Sequence, residues 1–161
     1  MQCELIALAC LVAHGDMGGK KLRKEWNPDK IIAQLEPLHP EFFPRPEKFN
    51  IMNPSADSPG HIHLVAKSSG DTLTKDELVQ LWGRTGNELH RGNVRKLLKP
   101  QTPLQTHFPE VLAWQNRIIR LLDQHRISSS DNLHHILCVL SGPGGNIQVG
   151  FASAPAPNLS P

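Results

Sequence analysis

The sequence predicts a mainly α-helical bundle with a small antiparallel β-hairpin, or a three-stranded sheet, at its C-terminal end. Several segments carry apolar residues at spacings of three and four, which is typical of amphipathic helices. Near the end, two short apolar runs flank the turn sequence "SGPGGN", which favours a hairpin. The chain has 161 residues. It is therefore long enough for one domain that buries a core without disulfides or metals.

The first predicted helix is the apolar run "LIALACLVA", which begins at Leu5 and ends near Gly15. This run is too short to span a bilayer, which takes about 20 residues. It also lacks the basic residues that precede the apolar core of a signal peptide. We therefore expect a buried helix, no export and no membrane partner.

Three further helices are predicted from their start signals and periodicity. In "NPDKIIAQLEPL", Asn27 is expected as the N-cap and Pro28 at the first helical position. The sequence "TKDE" at 74–77 matches a capping box, and it opens a central helix expected to continue to about Lys99. The last helix is expected over 108–127, where the apolar residues form a broad stripe.

The remaining segments define the predicted organisation of the domain. The proline- and phenylalanine-rich residues 39–60 are expected to form an ordered loop, and residues 61–67 a short strand. Residues 1–127 would form the helical domain, with residues 128–154 as a β-hairpin extension packed on it. Residues 155–161 would be a frayed tail.

Composition limits the function classes. A formal net charge of +2 is too small for a protein that coats nucleic acid with its whole surface, so a polyanion site would be a local patch. The three cysteines have no C-x-x-C spacing, which predicts buried free thiols and a reducing cytoplasm. The sequence has no dinucleotide fingerprint, phosphate loop or cluster of metal ligands, so neither a cofactor nor a metal is expected.

The central helix contains the candidate site, within "LWGRTGNELHRGNVRKLL". Histidine suits proton transfer because its pKa lies near neutral pH, and arginine can hold two oxygens of a phosphate. Arg84 and His90 are six residues apart, about 240° around an ideal helix. They would converge only if the helix bent at Gly86 or if a second copy packed antiparallel. The residues expected to contact a substrate are Asn87, Glu88, Arg91 and Arg95.

The stretch "LWGRTGNELHRGN" resembles the region of HEPN-domain proteins that carries their Arg-x(4–6)-His motif. The resemblance implies an all-α bundle that dimerises so that two motifs form one composite site. It also implies RNA binding or metal-independent endoribonuclease activity that leaves 2′,3′-cyclic phosphate ends, as in toxin–antitoxin and defence systems. Arg84 and His90 would then be the catalytic pair, with an antitoxin as one expected partner.

An alternative interpretation assigns no catalysis to this helix. Arg84 and Glu88 would form an ion pair at a spacing of four, and the other polar side chains would coat a solvated face. Gly86 would serve a close approach by another helix, or it would loosen the helix. The chain would then be a helical interaction module that dimerises or binds a protein partner.

Overall fold

The fold combines helices with a five-stranded antiparallel sheet, so the prediction of a mainly α bundle with a small hairpin was wrong. The computed structural model describes residues 2–14, 16–52, 61–66, 72–89, 108–142 and 144–154. The helices in this part of the chain are α1 (Gln2–His14), α2 (Gly19–Leu22), α3 (Pro28–Leu35), α4 (Lys75–Leu89) and α5 (Phe108–Asp123). The strands are β1 (Arg45–Met52), β2 (His61–Ala66), β3 (Gln124–Ser128), β4 (His134–Val139) and β5 (Gln148–Ser153).

The predicted helix starts are confirmed by their capping contacts. The Asn27 side-chain oxygen accepts hydrogen bonds from the backbone N–H of Asp29 at 3.0 Å and of Lys30 at 3.4 Å. At the start of α4, the Thr74 N–H donates to the Glu77 carboxylate at 3.0 Å, and the Glu77 N–H donates to the Thr74 hydroxyl at 3.3 Å. Local residue chemistry therefore sets both starts. The predicted ends near Gly15 and Lys99 lie outside the described residues.

The helices enclose the apolar core. Its members come from α1 to α5 and from two residues in the connecting segments, Phe42 and Leu73. The largest completely buried apolar side chains include Leu22, Ile31, Leu35, Phe42, Leu73, Leu78 and Leu121. Cys3 and Cys10 are buried here as free thiols, as predicted, whereas the free thiol of Cys138 is partly exposed.

The sheet has the order β2-β1-β3-β4-β5, with every neighbouring pair antiparallel. The hairpin of β4 and β5 is confirmed, and so is a strand within residues 61–67. Two strands were missed: β1 lies in the predicted loop 39–60, and β3 takes the end of the helix predicted over 108–127. Each pairs with the next strand along the chain, and the two also pair with each other across a long sequence separation. No glycine or proline marks where α5 ends.

Strand register divides the sheet into two faces of different chemistry. Residues directly opposite one another share a face, and successive residues alternate between faces. One face carries the buried residues Glu47, Ser128, His135 and Leu137, together with Arg126, whose side chain is 14% exposed. On the other face Ile127 lies opposite Ile136, which lies opposite Phe151, so these three side chains form a row across β3, β4 and β5.

No helix in the described ranges is both long enough and apolar enough to cross a membrane.

Candidate functional site

Arg84 lies on α4 with its side chain 63% exposed, and it forms an ion pair with Glu110 of α5. This contact joins two helices, whereas the alternative interpretation expected a pair with Glu88 on the same helix. The next residue, Thr85, donates its hydroxyl to the backbone carbonyls of Leu81 and Trp82, each at 3.0 Å. The Thr85 hydroxyl is thus bonded to its own helix, while the Arg84 guanidinium faces solvent beside a carboxylate.

The other predicted site residues are less completely placed. Asn87 and Glu88 belong to α4, although the structure describes only their backbone. His90, Arg91 and Arg95 lie outside the described residues. Convergence of Arg84 with His90 therefore stays a prediction. A Cβ added at Gly86 would meet no described atom within 4 Å. The close approach that was one explanation for Gly86 is thus not seen in the described part of the chain.

A second arginine connects α4 to α5 near the start of α4. Arg117 donates to the Glu77 carboxylate at 2.6 Å and to the Thr72 carbonyl at 2.9 Å, and it lies 5.4 Å from the centre of the Trp114 ring. Burial acts to raise the pKa of Glu77, but the hydrogen bonds from Thr74 and Arg117 outweigh it and the pKa is lowered. Together with the Arg84–Glu110 pair, these bonds fix α4 against α5.

The following buried or partly buried ionisable residues form a group that we call the polar cluster: Glu47, Arg126 and His135 on the sheet, His14 on α1, and His39 between α3 and β1. Glu47 is only 4% exposed and accepts a hydrogen bond from Arg126 at 3.1 Å. Arg126 also lies 3.5 Å from both ring nitrogens of His135. Among the described atoms, the second Glu47 oxygen and the Arg126 Nε have no hydrogen-bond partner. The ion pair is therefore incompletely satisfied, which lowers its contribution to stability.

Two histidines of the polar cluster, His14 and His135, have lowered pKa values. His14 donates from Nε2 to the Phe42 carbonyl at 3.2 Å, and its ring packs edge-on against that of His39 at 5.1 Å. Burial lowers the pKa of His14, and the neighbouring His39 lowers it further. Burial also lowers the pKa of His135, and the Arg126 guanidinium adds to that effect. A neutral imidazole can accept a hydrogen bond from Arg126, which a protonated one cannot.

A cavity of about 290 Å³ borders this cluster, with His14, His134 and His135 in its wall. Histidine is a residue type that transfers protons, but the carboxylate beside His134 already serves the turn between β3 and β4. Asp131 accepts from the Leu133 N–H at 2.8 Å and from the Ser129 hydroxyl, and these bonds lower its pKa. In the described ranges no three ligating side chains come together as a metal site.

The second sheet face carries exposed apolar residues. Leu5, Ile119 and Leu140 line a cavity of about 340 Å³ between α1, α5 and the sheet, and Ile127 lines both this cavity and the smaller one. On β5, Phe151, which lines the smaller cavity, is 81% exposed, and Val149 is 58% exposed. We call the following set the apolar face: Leu5, Ile119, Leu140, Ile127, Ile136, Val149 and Phe151.

Reading the sequence for chemical motifs missed both the polar cluster and the apolar face. One signal for the latter was visible, because residues 133–154 contain no lysine, arginine, aspartate or glutamate. The polar cluster had no local signal, since Glu47 and Arg126 are 79 residues apart.

Comparison of the chain with known protein families, with curated proteins and with solved structures finds no match.

Proposed function

We propose that the chain is a protein-interaction module that assembles with a second copy of itself through the apolar face. The observation that carries this proposal is the row Ile127, Ile136 and Phe151, which ends in a side chain that is 81% exposed. Scattered apolar side chains are normal on protein surfaces, whereas contiguous apolar patches mark interaction sites. A protein surface is the partner that can cover such a row.

The chemistry of the apolar face favours a second copy over a charged partner. Residues 133–154 contain no charged side chain, so β4 and β5 offer nothing that would select a partner by opposite charge. An uncharged apolar surface is complementary to itself, and two-fold pairs of identical patches are the commonest form of oligomer. The alternative interpretation of the sequence expected such an interaction module, although it expected a helical one.

Sedimentation velocity across a concentration series tests self-association. The wild-type chain should form dimers, and Phe151→Glu should weaken the dimer by roughly tenfold to a hundredfold, since one buried phenylalanine contributes about 1.5–3 kcal/mol. Val12→Glu is the matched control, because Val12 is also exposed but lines neither cavity. A wild-type chain that is monomeric at every concentration would contradict the proposal.

Metal-independent RNA cleavage is a second proposal, with Arg84 on the scissile phosphate and His90 in proton transfer. It is supported by the exposure of Arg84, whose ion pair with Glu110 lies at the surface. An exposed pair of this kind contributes about 0–1 kcal/mol, so an RNA phosphate can displace the carboxylate. Such a phosphate would also gain the bidentate contact that arginine offers.

Incubation with labelled single-stranded RNA in EDTA tests this second proposal. Wild-type protein should yield fragments that end in 2′,3′-cyclic phosphate, and Arg84→Ala and His90→Ala should not. Glu110→Gln should cleave faster than wild type because it releases Arg84 and removes a negative charge beside the phosphate. Absence of cleavage by wild type, or equal cleavage by folded His90→Ala, would rule the activity out.

A further inference from the structure

Strand β5 is the last strand on one side of the sheet, and among the described residues no strand pairs with its outer edge. Its six residues, "QVGFAS", include no charge and no proline. Proteins usually protect an exposed edge with lysine, proline, a bulge or a covering segment. β5 contains neither lysine nor proline, so its outer backbone groups can pair with another strand.

The hydrogen bonds between β4 and β5 show which backbone groups of β5 face outward. The Ala154 N–H donates to the Leu133 carbonyl at 2.7 Å, and His134 lies opposite Ser153. Hydrogen-bonded pairs alternate along an antiparallel ladder. The N–H and C=O groups of Gln148, Gly150 and Ala152 therefore point toward β4, whereas those of Val149, Phe151 and Ser153 point to the free edge.

We infer that two copies join by antiparallel pairing of β5 with the same strand of the other copy, with Gly150 opposite the partner's Gly150. The inference rests on the proposed self-association and places the contact at the β5 edge of the apolar face, where Val149 and Phe151 lie. The two five-stranded sheets become one ten-stranded sheet, with a two-fold axis perpendicular to it. Each apolar face continues across the junction into that of the partner.

The register follows from the side chains that it brings together. With Gly150 at the axis, Phe151 lies opposite the partner's Val149, and Val149 lies opposite the partner's Phe151. Both pairs join outward-facing backbone groups, so each forms two N–H to C=O bonds. A shift that placed Phe151 at the axis would keep one apolar pair, between the two Phe151 side chains, but would set each Val149 against a serine, so it has one apolar pair in place of two. Aromatic and β-branched residues are favourable cross-strand partners.

The opposite edge of the sheet, β2, is less suited to this pairing. Its described exposed side chains, Leu64 and Val65, are adjacent and therefore lie on opposite faces. Val65 is also opposite Lys48 in the register, so a charge lies beside it. Among the edge-strand side chains that the structure describes, only those of β5 place two exposed apolar residues on one face.

Disulfide trapping in the full chain tests the pairing. Directly opposite residues in a non-hydrogen-bonded pair have Cα atoms about 4.5 Å apart, within the range that a disulfide spans. Gly150→Cys is tolerated locally, because a Cβ there would meet no described atom within 4 Å. The background carries Cys138→Ala, which removes the partly exposed native thiol. Gln148→Cys is the matched control, since it lies on the same strand and face but about 13 Å from its copy in this register.

Mild oxidation should convert most Gly150→Cys protein into disulfide-linked dimer and leave Gln148→Cys largely unlinked, as read by non-reducing electrophoresis and by mass spectrometry of the linked peptide. Dimers that sediment normally but show no Gly150→Cys link would overturn β5 pairing while leaving the proposed function standing. Equal linking of the two variants would also overturn it, because collision would explain both. Monomers in sedimentation would instead overturn the proposed function.

Residue-resolved amide exchange provides a second readout that needs no cysteine. Dimerisation should slow exchange of the Val149, Phe151 and Ser153 amides at least tenfold on raising the protein concentration. The amides of Gly150 and Ala152, which already bond to β4, should change little. An equal change at all five positions would contradict the pairing.

Discussion

The helical core and the sheet distribute polar and apolar residues in opposite ways. The helices supply the closely packed core, with Ile31, Leu35 and Leu121 completely buried, and only part of their apolar residues is exposed. In the sheet, the charged pair Glu47 and Arg126 is inside, while Phe151 is outside. The helices therefore bury mainly apolar side chains, whereas the sheet buries a charged pair and exposes an aromatic side chain.

This difference separates stability from association. Close packing of apolar side chains is the main source of folding free energy, and the helices supply it. A buried ion pair with unsatisfied atoms adds little, and an exposed phenylalanine adds nothing to the folded monomer. The sheet holds features that lower the stability of one copy and favour contact with another, so it is the region where an interaction surface is expected.

The largest effect should come from breaking the buried pair in the sheet. Arg126→Met removes the nearer positive partner of the buried Glu47 carboxylate and leaves only Arg45, whose Nε lies 3.7 Å away. The free energy of unfolding should therefore fall by about 3 kcal/mol. The double variant Glu47→Leu/Arg126→Met should recover most of this loss, because no charge is then left buried. Urea unfolding measures both, and equal losses in the two variants would contradict this account of the polar cluster.

Removal of core volume from the helices should have the next largest effect. Leu121→Ala should lower the free energy of unfolding by about 2–5 kcal/mol, since it leaves a cavity in a closely packed core. Phe151→Ala removes a larger side chain but should change the unfolding of the monomer by less than about 0.5 kcal/mol. Urea denaturation of both variants, at concentrations where the chain is monomeric, compares the regions directly. A larger loss for Phe151→Ala would reverse the comparison.

A smaller effect is expected at the start of α3. Asn27→Ala removes the side-chain oxygen that accepts from two backbone N–H groups, and should lower stability by about 1 kcal/mol. Asn27→Asp retains an acceptor and should lose less than half of that amount. Thermal unfolding would show the order, and equal losses for the two variants would mean that the cap is not the cause.

The smallest change in the free energy of unfolding is expected from a change of pH without any substitution. Because His14 and His135 have lowered pKa values in the folded chain, the unfolded chain binds more protons as the pH falls. Stability should therefore be full above about pH 6.5 and decrease as the pH falls below it. Urea unfolding at about pH 7.5 and about pH 5.5 measures the change. His14→Gln should reduce the difference, and stability that rises toward acid would contradict the cause.

The sequence predicted the helical half of the fold well because its signals are local. Asn27 with Pro28, and Thr74 with Glu77, lie within one turn of the backbone groups that they cap. The strands β4 and β5 were also found, since a short turn joins them. Of the candidate site, Arg84 is placed on α4, but its Glu110 partner belongs to another helix and was not anticipated. The pairing with His90 stays a prediction.

The sequence by itself determined where helices start, where the last hairpin turns, and that residues 133–154 carry no charge. Tertiary structure alone decided that Arg45–Met52 and Gln124–Ser128 lie side by side in one sheet, because the residues they pair, such as Arg45 and Arg126, lie far apart along the chain. It also brought Glu47 to Arg126 and aligned Ile127, Ile136 and Phe151 in one row. Contacts of this kind depend on the pairing of distant backbone segments, whereas caps and turns depend on neighbours within a few residues.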